Sequence, residues 1–109
     1  MLMPAPITVR MFNEHGCPWP FFGPESLMSQ EEFPLPAELT EQVLAWTSDF
    51  ARHYDEERGW PSAQAYEASR QEGRRLAAEV QTAVGDEVRI QLEHWERMVD
   101  GQEASAQTS

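Results

Sequence analysis

The segment Arg58-Gly59-Trp60-Pro61 constrains this chain more than any other, because it cuts a long helical pattern in two. Pro61 has no N–H to donate and clashes with a preceding helical turn, and Gly59 readily takes the left-handed backbone that ends helices. Before the break, Leu39, Val43, Trp46, Phe50 and Tyr54 recur every three or four residues, one apolar stripe on about five turns that start at Pro36. The spacing predicts a helix ending at Gly59, with Trp60 folded back over the turn. After the break, Ser62 can cap a second helix. Its stripe is Tyr66, Ser69 or Arg70, Gly73, Leu76 and Ala77, Val80 and Val84, and Gly85-Asp86 ends it. Gly73 costs about 1 kcal/mol in a helix interior relative to Ala. Its presence predicts that the first helix, with the large Trp46 and Phe50, approaches closely there.

Strands flank this helical hairpin. Ile7, Val9 and Met11 alternate with Thr8, Arg10 and Phe12, and Val88, Ile90 and Leu92 alternate with Glu87, Arg89, Gln91 and Glu93. A period of two marks half-buried strands. Between Asn13 and Pro24 helix is excluded, since Pro18, Pro20 and Pro24 each remove a donor and push the preceding residue toward extended geometry. Ser29 and Glu32 have capping-box spacing, which Pro34 limits to one turn. The order strand, loop, helix, helix, strand predicts an α+β fold: a small sheet of two or three strands packed on an antiparallel two-helix hairpin. Two strands alone are marginal. A third from the aromatic loop or the C-terminal segment would complete the sheet, as would pairing across a homodimer. Residues 1–100 form one domain, and 101–109, small and polar from Gln102 onward, read as a disordered tail.

Charge is the strongest compositional feature. Nineteen acids face eight bases, all of them arginine, for a net charge of −11. Residues 14–60 hold ten of the acids and only two arginines. Such a surface repels nucleic acid and anionic membranes, whose binding relies on Lys and Arg displacing counterions. It attracts basic proteins and speeds encounter with them. No run nears the roughly 18 apolar residues of a membrane span, and the start lacks the basic and apolar regions of a secretory signal. Cys17 is alone, so no internal disulfide forms, and the expected location is the cytoplasm.

No catalytic grouping stands out, and the chain reads as a non-enzyme with no cofactor. His15 and Cys17 suggest a base and a thiol, but that spacing supplies no orienting third group. His15, Cys17, His53 and His94 sit in no metal-binding frame, so no metal site is expected. Arg70, Arg74 and Arg75 cluster on the second helix amid Glu67, Gln71, Glu72 and Glu79, which satisfy most of that charge. The acids Asp55, Glu56 and Glu57 at the end of the first helix oppose its dipole. A feature that stability does not favour points to use.

Three stretches, "NEHGCPWPFFGPE", "LPAELTEQVLAWTSDFARHYDEERGW" and "EGRRLAAEVQTAVGDEVRI", together resemble a set of small bacterial proteins of high-GC, actinobacterial type. The resemblance covers residues 7–93 and rests on the order of its markers. It implies one compact α+β unit and no enzyme activity. Pro20-Phe21-Phe22 departs from it, standing where Pro-Leu-Trp would be expected.

These features converge on an acidic protein-binding module: an immunity protein or inhibitor that neutralises a basic partner such as a toxin or nuclease. The expected partner-binding residues are Trp19, Phe21, Phe22, Asp55, Glu56, Glu57 and Trp60. Trp and Tyr are favoured interface anchors, but a core this small also needs aromatics. The loop therefore lids the sheet with one or two rings and exposes at least one. The alternatives are a self-associating structural subunit and a small enzyme built on the loop carrying His15 and Cys17.

Overall fold

A computed structural model describes residues 6–103. Its elements are β1 (Ile7–Met11), β2 (Phe21–Phe22), α1 (Ala37–His53), α2 (Ala63–Val84), β3 (Val88–Leu92), β4 (Met98–Val99) and β5 (Gln102–Glu103). The fold is α+β, with a three-stranded mixed sheet in the order β2-β1-β3 against the two helices. The third strand comes from the aromatic loop: Met11 faces Phe21 and Arg10 faces Phe22 in antiparallel register. β1 and β3 pair in parallel, Val9 opposite Ile90. Parallel strands need a long crossover, and the helical hairpin supplies it.

The capping signals act as their chemistry dictates. Ser62 Oγ accepts from Ala65 N at 3.1 Å at the start of α2. Ser29 and Glu32 bond reciprocally to each other's backbone N–H, at 3.1 and 2.9 Å. Helix α1, by contrast, ends at His53 rather than at Gly59. The reason is the Asp55 carboxylate, which accepts from Glu57 N at 2.7 Å and Arg58 N at 3.0 Å. A short polar side chain offers the backbone a turn in competition with the helix. Asp55 and Gly59 close that turn with two backbone bonds, at 3.0 and 2.7 Å. Asp55 thus stabilises a loop instead of opposing a helix dipole.

Trp60 does more than cover this turn. Its N–H donates to Met98 O and its carbonyl accepts from Asp100 N, both at 2.8 Å. These bonds dock the β4–β5 hairpin, so Gln102 and Glu103 are strand, not tail, while 104–109 lie outside the described residues. Gly59 permits the contact: its φ is +83°, and a Cβ there would lie 2.1 Å from Met98 O.

The main core joins sheet and helices through Val9, Met11, Trp19, Phe21, Phe33, Val43, Trp46, Leu76 and Val80. A second cluster, Phe50, Tyr54 and Trp60, lies at the helix turn. Gly73 brings the helices together as its position in the stripe implies. The Trp46 indole N–H donates to Ser69 O at 2.9 Å, and a Cβ on Gly73 would sit 2.8 Å from Trp46 Cζ2. The outer edge of β3 is covered by one side chain: the Gln81 amide donates to Val88 O at 2.7 Å and accepts from Ile90 N at 2.8 Å. It occupies backbone groups that an added strand would use.

Gly73→Ala is expected to lower stability by about 1–3 kcal/mol, because a buried ring held by a hydrogen bond cannot retreat without overpacking. The helix-propensity gain of about 1 kcal/mol works against that loss. Urea unfolding measures the balance, and unchanged or higher stability would show that Trp46 relaxes freely.

Candidate functional site

Where β1 ends, the chain turns inward. Asn13 is fully buried, and its Nδ2 donates to Glu96 Oε2 at 2.9 Å. The Trp95 indole N–H donates to the Asn13 carbonyl. The His15 ring packs among Phe50, Tyr54 and Trp95, with centroids 4.8, 6.2 and 6.1 Å away. A polar knot thus sits behind an aromatic wall, built from the end of β1, the end of α1 and the segment after β3. Glu96 is only 2% exposed, and burial pushes its carboxyl pKa up. His94 behaves oppositely. Desolvation first, then the charges of Arg70, Arg74 and Arg97, lower it from 6.5 to about 4, leaving a neutral imidazole. Four polar atoms of this region are buried without a hydrogen-bond partner: Asn13 Oδ1, His15 Nε2, His94 Nε2 and Glu96 Oε1. Native proteins leave few such groups, and each calls for an explanation such as an ordered water, an ion or a functional role.

The residues singled out from sequence are distributed differently from expectation. Trp19, Phe21 and Trp60 are core, at 5%, 0% and 1% exposure. Each fills space between elements, so in this fold they cannot present a surface, and their expected role as partner anchors is corrected. Phe22 points to the other side of β2, half-buried, and stacks on Phe12 at 4.1 Å with the Arg10 guanidinium 5.0 Å above the Phe12 ring. The loop therefore covers the core with Trp19 and Phe21 and leaves Phe22 partly outside. Asp55, Glu56 and Glu57 are exposed together on the turn after α1. Hydrogen bonds from the Glu57 and Arg58 backbone hold the Asp55 carboxyl below its usual range.

His15 is engaged with aromatic rings and makes no bond to Cys17. Cys17 is half-buried beside an open groove of about 350 Å³ that Glu14, Pro18, Leu44 and Thr47 also line. Among the described residues no group of three or more His, Cys, Asp or Glu side chains could hold a metal ion, and no helix is long and apolar enough to cross a membrane. Sequence reasoning missed Asn13, Glu96 and the exposure of Trp95, which is 42%. A carboxylate and an amide 83 residues apart carry no signal of meeting.

The family described as Serratia CdiI immunity protein-like matches residues 7–94 of this chain, from the first residue of β1 to just beyond β3. No curated protein matches it.

Two measurements check this placement. Phe21→Ser is expected to lower stability by about 3 kcal/mol or more, because it empties a core position. Circular dichroism reads this directly. Between pH 6.5 and 4 the native His94 stays neutral while its unfolded counterpart takes a proton, so stability falls as pH falls across that window and is fully present above it. Glu96 has the opposite sign: its raised pKa makes stability decline as pH rises above the ordinary carboxylate range. His94→Gln is expected to flatten the loss between pH 6.5 and 4 in urea unfolding, and an unaltered slope would place the linkage elsewhere.

Proposed function

The chain belongs to the Serratia CdiI immunity protein-like family, and from that premise we propose that it binds and neutralises a cognate toxin of basic character. The observation that carries this reading is the family match, which spans the whole αα-hairpin and the sheet. Charge supports the partner's basic character. Glu25, Glu31, Glu32, Glu38 and Glu41 are exposed along the connector and the start of α1, and Glu56 and Glu57 are exposed at its far end. None of them is ion-paired among the described residues. A toxin that attacks nucleic acid must carry Lys and Arg to hold phosphates. An acidic inhibitor complements that surface and accelerates encounter with it.

Self-association has less support. The edge of β3 is partly occupied by Gln81, and β2 is only two residues long.

The test is co-expression with a candidate toxin sought among the proteins that neighbouring genes encode. Cells carrying both are expected to grow, and growth arrest despite folded protein would overturn the immunity reading. Raising salt from 50 to 500 mM is expected to weaken the complex at least about tenfold, mainly through slower association. Salt-independent binding would reject the charge argument while leaving immunity intact. The double variant Glu56→Lys, Glu57→Lys is expected to slow association about threefold or more, measured by stopped flow.

A further inference from the structure

The chain has more than two acids for every base, yet one group of arginines is left without acidic partners. Arg10, Arg58 and Arg75 each pair with a carboxylate, at 2.9, 2.6 and 2.7 Å. Arg75 leaves the cluster that the sequence suggested, reaching Glu72 and Gln42 instead. Five arginines have no ion pair among the described residues, and two of them, Arg70 and Arg74, stand four residues apart on α2 and flank Gly73. The missing side chain at Gly73 admits His94, whose Cε1 comes within 3.4 Å of where a Cβ would stand. Arg97 follows three residues later, and its charge acts on the same imidazole. Tyr66 holds Arg70 from beneath, accepting a hydrogen bond at its hydroxyl while the guanidinium lies 5.3 Å from the ring centroid. Neither Arg74 nor Arg97 makes an ion pair among the described residues. The carboxylate whose charge acts on Arg70 is buried Glu96, with one oxygen already bonded to Asn13. His94 Nε2 is buried with no hydrogen-bond partner.

We propose that Arg70, Arg74, Arg97 and His94 form an anion pocket that receives a carboxylate side chain of the bound toxin. The identity of the donor as a toxin rests on the immunity reading above. Guanidiniums offer planar, paired donors that fit a carboxylate bidentately, and the His94 ring lies against them as a reporter of what they bind. Repulsion by the rest of the chain does not prevent this. Screening confines exposed charges to about 8 Å at physiological salt, so a short contact responds to its own neighbours. A polyanion must approach through the whole acidic field, which disfavours nucleic acid as the ligand. The exposed acids then steer a basic toxin from a distance, and the arginines set its register once water is excluded. Arginine is among the residues that dominate interface energetics when desolvated.

The experiment uses the full chain and that candidate toxin. Arg74→Glu and Arg97→Glu, each verified as folded by its melting curve, are compared with Arg89→Glu on the open side of the sheet. The expected result is a loss of about 30-fold or more in affinity for the first two, chiefly in dissociation rate, with Arg89→Glu unchanged. If all three bind like the unmodified protein, the pocket is overturned and the immunity reading stands. If the unmodified protein does not bind the toxin, the immunity reading falls. The pocket is then judged by titrating the isolated chain with glutarate and with inorganic phosphate while following the His94 ring by NMR. A saturable response to glutarate that disappears in Arg74→Glu and Arg97→Glu supports a carboxylate pocket. No response, or one to phosphate alone, overturns it.

Discussion

The structure depends on a single close approach, that of the Trp46 ring to the backbone of α2 at Gly73. The indole fills the space a side chain would take, and its N–H is anchored to Ser69 O at 2.9 Å. Both helices are held at that spacing, so Val43, Leu76 and Val80 meet Val9 and Met11 of the sheet in one core. The same gap on α2 admits the imidazole of His94. One missing methyl group therefore sets the helix packing and also places the segment that follows β3.

The second organising fact is that the two ends of the described chain close on each other. β1 and β3 run in parallel, and beyond them Glu93 N donates to Met11 O at 2.9 Å. Asn13 then meets Glu96, and Trp60 holds the β4–β5 hairpin through Met98 and Asp100. Each contact joins residues tens of positions apart, so none forms early from local chain alone, and loop closure must be offset by burial. The price of the arrangement is a set of buried polar atoms without partners beside a wall of aromatic rings.

Charge is sorted by the fold in a way composition conceals. Most acids remain on the surface, on the connector, the helix ends and the turn at Asp55 to Glu57. Arg70 and Arg74 on α2 and Arg97 beyond β3 act together on the His94 ring and hold it neutral. The chain thereby combines a long-range acidic field with one locally positive cluster inside it. Electrostatic steering and short-range recognition act at different distances, which lets opposite signs serve one interface.

The helices, the caps at Ser29 and Ser62, the two five-residue strands, the tight approach at Gly73 and the α+β class were all legible in the sequence. They depend on spacing along the chain: a stripe every three or four residues, alternation by two, a hydroxyl three residues before the N–H it accepts from. The parallel register of β1 with β3, the inward turn of Trp19 and Phe21 and the burial of Glu96 were decided only in three dimensions. Whether an aromatic ring is core or surface depends on which distant element covers it, and whether an acid is buried depends on an amide 83 residues away. Periodicity states which face of an element is apolar. Only packing determines what that face meets, and so which residues remain for a partner.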